Sequence, residues 1–203
     1  MLSSVSLQLL SEGLAIAPDP LAIERLSGYL SSLQRWNNAF NLTAIRSTEE
    51  MVVKHLLDSA SIIPWIKNPL LDVGTGAGLP GLVVAILRPD IQVHLLDSNG
   101  KKIRFLKQVT AELGVSNIHL HYTRVNEYRD EKFPCVVSRA FASLAEMVRH
   151  CRHLLCEDGY FLAMKGKFPQ AEIDELSEGI EIISTIALKI PALNEERNLI
   201  LLR

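Results

Sequence analysis

The sequence predicts a doubly wound, Rossmann-like α/β fold: a seven-stranded, mostly parallel sheet with helices on both faces and an N-terminal helical extension. Three observations carry this. Leu70-Leu71-Asp72-Val73 is a short apolar run feeding straight into Gly74-Thr75-Gly76-Ala77-Gly78, and Leu79-Pro80-Gly81 then opens an apolar helical run to Leu87. A strand, a glycine turn and a helix N-terminus in that order form the phosphate- or nucleoside-binding corner of such folds, because the turn visits positive φ and a ligand must approach the backbone closely. Strand-like and helix-like segments alternate from there onward, which implies parallel strands covered on both faces. Finally, 203 residues that are 48% hydrophobic and 22% charged suffice for one α/β core with a modest extension.

The elements follow in order. Ser3–Glu12 is helical in pattern and stops at Gly13; Pro20–Trp36 carries Leu21, Leu26, Leu30 and Leu33 at helical spacing. A polar turn, Asn37–Asn41, precedes the capping box Ser47-x-x-Glu50, which opens a helix over Met51–Ile63 that closes at Pro64. Strands are expected at Leu70–Val73, Ile91–Leu96, Ile118–Tyr122, Cys135–Ser138, Gly159–Lys165, Ile180–Leu188 and Leu199–Leu202, the last entering antiparallel. Helices are expected at Pro80–Leu87, Asn99–Leu113, Leu144–Leu155 behind the capping box Ser143-x-x-Glu146, and Pro169–Ser177. Residues 1–64 are expected to form an extension packed on a single compact core, 65–203, since nothing resembles a separating linker.

Composition narrows the function. A formal net charge of −2 argues against a protein that coats nucleic acid non-specifically, although a local basic patch is compatible with it. No apolar run approaches a membrane span and no signal-peptide pattern opens the chain, so a cytoplasmic location without membrane contact is expected. The three cysteines, Cys135, Cys151 and Cys156, form neither an even framework nor a C-x-x-C pair. His150, Cys151, His153 and Cys156 fall on one expected helix but on different faces, so packing is expected there and no metal. Pro134-Cys135 opens a strand at the end away from the ligand, where cysteine is a core residue. A phosphate-binding G-x-x-x-x-G-K-[ST] loop, a G-x-S-x-G elbow and a Pro-Pro-aromatic motif after strand four are all missing.

In an open parallel sheet the ligand lies beyond the carboxyl ends of the strands. Those ends supply Asp72, Gly74 and Gly76, then Asp97, then Arg124, Val125 and Asn126, then Ser138 and Arg139, and finally Lys165. Asp97 can accept both hydroxyls of a ribose, or cap the next helix if Ser98 does not. Lys101, Lys102, Arg104 and Lys107 crowd one helix, as a solvated face or as phosphate contacts. Two registers compete at the glycines. Gly76-x-Gly78-x-x-Gly81 matches a dinucleotide turn, while Asp72-x-Gly74-x-Gly76-x-Gly78 matches that of S-adenosylmethionine-dependent methyltransferases. The strand ends at Val73, so Gly74 is the first turn residue, which favours the second register.

Further segments carry a more specific resemblance: Arg35–Thr43, His55-Leu56-Leu57-Asp58-Ser59, Asp72–Gly81, Leu95–Ser98, Ser138-Arg139-Ala140-Phe141-Ala142, Lys165-Gly166, Pro191–Leu193 and Glu196-Arg197. With these the chain resembles the bacterial small-subunit (16S) ribosomal RNA guanine-N7 methyltransferases, the glucose-inhibited division protein B family. The resemblance implies a class I methyltransferase fold and S-adenosyl-L-methionine as cofactor. It places the cofactor at Gly74, Leu79, Val125, Asn126 and Arg139 with Asp97 on the ribose, the set being completed by Asp72, Gly76, Gly78 and Ser98. Arg139, Lys165 and Arg197 become candidates for positioning the reactants, with no certain catalytic residue. Asn38, Asn41, Lys101, Lys102 and Arg104 become candidates for RNA contact. The implied partner is 16S ribosomal RNA or a small-subunit precursor, bound by a monomer. Asn126 stands where the family commonly has an acid, and an amide offers a different donor and acceptor set. Guanine N7 has a free lone pair and no proton, so the implied reaction asks for alignment and electrostatics and not for a base. The alternatives are a nicotinamide-dependent oxidoreductase using Gly76, Gly78 and Gly81, and a non-catalytic nucleoside-binding regulator.

Overall fold

The computed structural model describes residues 4–14 and 19–203, and Ser3, the expected start of the first helix, lies outside them. Helices α1 (Ser4–Gly13) and α2 (Pro20–Phe40) come first, α2 capped by Asp19, whose carboxylate accepts from the amide of Ala22. Asn41 ends α2 in the left-handed region at φ 48°, a conformation asparagine tolerates better than most residues. α2 therefore runs through the stretch expected to be a polar turn. The apolar face that includes Leu26, Leu30 and Leu33 continues to drive helix formation until Asn41 stops it.

Both expected N-caps form, with Ser47 accepting from the amide of Glu50 and Ser143 from that of Glu146. Behind Ser47, α3 (Thr48–Met51) passes without a break into a π-helical stretch, Val52–Leu57, and then α4 (Asp58–Ala60). The expected uninterrupted helix over Met51–Ile63 is thus widened in its middle and closes earlier. The remaining elements are β1 (Leu70–Val73), α5 (Gly81–Leu87), β2 (Val93–Asp97), α6 (Gly100–Glu112), β3 (Ile118–Tyr122), β4 (Phe133–Ser138), α7 (Leu144–Cys151), β5 (Leu155–Lys165), α8 (Gln170–Asp174), β6 (Ile182–Ala187) and β7 (Asn198–Leu202).

The seven strands form one sheet in the order β3-β2-β1-β4-β5-β7-β6. β1 to β5 are parallel, and β7 slots antiparallel between β5 and β6. Alternate residues face two layers. Leu70, Val93, Leu95, Val137 and Leu162 share one core with Leu26, Leu30 and Leu33 of α2, Leu56, Leu82 of α5 and Phe105 of α6. Leu71, Val73, Val136, Phe161 and Ile200 pack on the other side against Leu144, Met147 and Cys151 of α7. The N-terminal helices are therefore continuous with the sheet's own core.

Two expected helices are shorter than the pattern suggested. α7 ends at Cys151 because β5 claims the chain from Leu155, pairing Leu155 with Phe133. Of the four cysteines and histidines expected on one helix, His150 and Cys151 therefore lie on α7, His153 falls in the turn after it and Cys156 is a strand residue. α8 covers only Gln170–Asp174 of the expected Pro169–Ser177. Among the described residues no helix is long and apolar enough to cross a membrane.

Candidate active site

The glycine turn after β1 is built by backbone conformation. Gly74, Gly76 and Gly78 have φ of 69°, 61° and 94°, a region L-residues rarely adopt. Asp72, expected at the cofactor, is instead fully buried and braces this turn: its Oδ2 accepts from Thr75 Oγ1 at 2.7 Å and from the Gly81 amide at 2.8 Å. Burial pushes its carboxyl up to about 6, against the lowering effect of those two hydrogen bonds. Its Oδ1 has no partner among the described residues. α2 holds the turn from the other side, where buried Tyr29 donates to the carbonyl of Ala77 at 2.9 Å.

Asp97 ends β2 next to the turn but is not the free carboxylate the sequence suggested. Its Oδ2 accepts from the Gly76 amide at 2.9 Å and pairs with Lys102 at 3.4 Å, while Oδ1 accepts from the Asn99 amide at 2.8 Å. The cap of α6 is Asn99, accepting from the Lys101 amide, and Ser98 is an exposed residue of the turn without that role.

Beyond the turn lies a cleft of about 540 Å3, within the range of small-molecule and cofactor sites. Of the residues marked from the sequence, Gly74, Gly76, Leu79, Arg139, Lys165 and Arg197 line it. Asp72, Gly78, Asp97, Ser98, Val125 and Asn126 lie outside its lining, as do Asn38, Asn41, Lys101, Lys102 and Arg104. Asn126 is exposed, and its amide oxygen is engaged by His150 Nδ1 at 2.9 Å. Asn41 holds Arg46 at 2.9 Å. Asn37, which was not singled out, clamps Thr43 by donating to its carbonyl at 3.0 Å and accepting from its amide at 2.9 Å, and so shapes the rim formed by Leu42, Thr43 and Ile45.

The charge at the cleft is organised by a residue that sequence reasoning missed. Asp58, at the start of α4 and 3% exposed, ion-pairs Arg139 at 3.0 Å and Arg197 at 3.3 Å. Burial raises its carboxyl even though both guanidiniums pull it down. Arg139 thus reaches the cleft already paired with a carboxylate, Asp58. The available signal was an acid embedded in an apolar helix beside Lys54 and His55, which the π-helical turn brings to the same cleft. His55 meets Thr43 Oγ1 at 2.9 Å, and burial lowers its imidazole to about 4, so it is neutral at ordinary pH. Lys54 and Lys165 also line the cleft, paired with Glu195 and Glu172 at 2.8 Å each.

S-adenosylmethionine fits this donor set. A Cβ on Gly76 would meet only Gly74 O and Lys102 Nζ, both at 3.9 Å, so the turn faces open space on the ligand side. Beside it stand four cations, Lys54, Arg139, Lys165 and Arg197, suited to a carboxylate or phosphate.

A glycine turn braced by the acid of β1, an acid closing β2 and a reversed last strand together define a Rossmann-like methyltransferase fold. Solved structures agree on the fold. Ribosomal protein L11 methylase from Lactobacillus delbrueckii subsp. bulgaricus aligns with a TM-score of 0.57 at 18% identity, covering 74% of this chain and 78% of that one. TYW2 of P. horikoshii, in complex with MeSAdo, aligns at 0.56 and 11% identity, over 72% and 61%. The chain belongs to the GidB family of rRNA small subunit methyltransferase G, which it matches over residues 22–200. Proteins called ribosomal RNA small subunit methyltransferase G are 49% identical in Psychromonas ingrahamii, over 87% of this chain and 86% of that one. One from Escherichia coli O1:K1 / APEC is 43% identical over 100% and 98%.

Proposed function

We propose that this enzyme transfers the methyl group of S-adenosyl-L-methionine to N7 of a guanine in 16S ribosomal RNA, acting as a cytoplasmic monomer on the RNA or a small-subunit precursor. The observation that carries the reading is the joining of the glycine turn to a cationic cleft in a chain of this family. When bound, the cofactor supplies a methyl on a positive sulfonium. The chain's own residues do the rest. Gly74, Gly76 and Leu79 let the ligand lie against backbone, and Asp97, aligned by Gly76, Lys102 and Asn99, keeps a lone pair on Oδ1 for a ribose hydroxyl. Asp58 holds Arg139 and Arg197 at the cleft, where their planar forks can take a carboxylate or phosphate. His55 is neutral there and no residue has to take a proton, which suits a nucleophile that carries none. With the Asn126 amide oxygen held by His150, its NH2 is the group that would meet an adenine beside Val125.

The test is methyl transfer from labelled S-adenosylmethionine to protein-free 16S RNA and to small subunits, with the product position mapped by chemical cleavage at N7-methylguanine. Label at one guanine N7 supports the reading. Label elsewhere, or none on either substrate, overturns it, and a nicotinamide dinucleotide retained through purification would favour the oxidoreductase.

A further inference from the structure

Outside the cleft, one surface combines exposed aromatic rings with unopposed cations. Tyr122, the last residue of edge strand β3, is 67% exposed, and Phe40, the last residue of α2, is 41% exposed. Between them run Lys101 and Arg104 of α6. The Lys101 ammonium lies 5.9 Å from the centre of the Phe40 ring. Phe40 is backed by Trp36, with ring centres 5.0 Å apart, so it is held in place while remaining partly exposed. Tyr122 rests on the first turn of α6: a Cβ on Gly100 would come within 3.2 Å of its Cζ and hydroxyl. Arg104 donates from Nε to the carbonyl of Gly100 at 3.3 Å, which keeps its guanidinium beside that ring. Tyr122, Lys101 and Arg104 share a hollow of about 470 Å3 with Asn99, Gly100 and Ile103, with no acid in its lining, and Phe40 stands outside it beside Lys101. Two other surface hollows mix the signs, with Glu146 and Glu178 in one and Glu157 and Glu181 in the other.

Aromatic faces interleaved with cations are the chemistry that holds single-stranded nucleic acid: rings stack unpaired bases of any identity, and cations follow the phosphates. The patch adjoins the glycine turn: Lys102, beside Lys101 on α6, pairs with Asp97 at 3.4 Å, and Asp97 accepts from the amide of Gly76 at the cleft. We propose that this surface binds an unpaired RNA segment flanking the target nucleotide, stacking bases on Tyr122 and Phe40 with Lys101 and Arg104 on the backbone. The proposal rests on the RNA methyltransferase reading above and extends it to the part of the substrate outside the cleft.

The probes are a dye-labelled single-stranded RNA of about twelve nucleotides and an RNA duplex of the same length, titrated with the full chain by fluorescence anisotropy. Tyr122→Ala and Phe40→Ala should each weaken the single strand about tenfold and leave the duplex nearly unchanged, while Tyr122→Phe restores binding. Lys101→Ala should weaken binding and flatten the logarithmic salt dependence by about 0.7. With 16S RNA as substrate, Tyr122→Ala should raise KM and leave kcat in place. Single-strand binding by both alanine variants equal to that of the unaltered protein overturns the proposal. So does unchanged oligonucleotide binding with methylation lost only on assembled subunits, which would make the patch a protein contact. Absence of any methyl transfer by the unaltered protein, with the aromatic effects on strand binding intact, defeats the functional reading and leaves this surface standing.

Discussion

Asp72→Asn isolates the cost of burying a charge under the glycine turn. Both existing hydrogen bonds, from Thr75 and from the Gly81 amide, end on one oxygen, Oδ2. The carbonyl of an asparagine can accept both, and its NH2 then occupies the site of the unpartnered Oδ1. The turn should keep its shape, so the change is close to one of charge alone. Asp72 titrates at about 6 in the folded protein against an ordinary 3.8. It therefore holds its proton more tightly when folded, and its contribution to stability falls as pH rises from about 4 to about 6 and is level above that. About two pH units at about 1.4 kcal/mol each give a penalty on the order of 3 kcal/mol for the ionised form. The asparagine variant lacks this penalty. Urea unfolding of both proteins from about pH 4.5 to about pH 7.5 should show about a third of this advantage for the variant at the acid end, growing by about 2 kcal/mol across the range. At a slope of about 2–3 kcal/mol per M, the gap between midpoints should widen by about 1 M across that range. Other titrating groups occur in both proteins and largely cancel in the difference. A gap that does not change with pH would refute the argument that Asp72 is an uncompensated buried carboxyl.

Asp97→Ala should weaken binding of S-adenosylhomocysteine by about 1.5–3 kcal/mol, the range for hydrogen bonds to a charged group, and unchanged affinity in calorimetric titration would remove Asp97 from the cofactor site. Arg139→Lys keeps the charge facing Asp58 but loses the planar fork. Methyl transfer should fall at least about tenfold while the melting temperature drops only by about 2–4 °C, and wild-type turnover on 16S RNA would exclude Arg139 from the site. Tyr29→Phe leaves the Ala77 carbonyl without its buried donor, so stability should fall by about 1–2 kcal/mol and amide exchange around Ala77 should quicken; unchanged exchange would mean that α2 does not restrain the turn.

The corner between β1 and α5 was legible because its causes are local: an apolar strand, glycines that alone suit positive φ, and a helical run after Pro80. The N-caps at Ser47 and Ser143 were legible for the same reason. What could not be read depends on partners far along the chain. Asp58 meets Arg139 across 81 positions, and neither neighbourhood betrays the other. β5 starts at Leu155 because Phe133 pairs there, which no pattern within α7 announces. The π-helical widening at Val52–Leu57 has no compositional mark, since its residues suit an ordinary apolar helix equally well. Asp97 illustrates a different limit. Its place at the corner was clear, but its commitment to Gly76 and Asn99 depends on how the turn folds back.

The antiparallel placement of β7 between β5 and β6 governs the order in which the molecule can become competent. β5 and β6 have no hydrogen bonds to each other, so β6 gains a place in the sheet only when β7 arrives. Arg197 and Asn198, at the head of β7, complete the cleft wall that the glycine turn begins more than a hundred residues earlier. A chain folded through β5 would thus display the glycine turn while lacking Arg197, the second guanidinium on Asp58. The ion pair of Arg197 with Asp58 closes a far longer loop than the pairing of β7 with β5 or of β1 with β4, so its entropic cost is the larger and it forms late. Full ligand affinity should therefore appear with the last strand and not with the first, which makes cofactor capture a kinetic reporter of sheet closure.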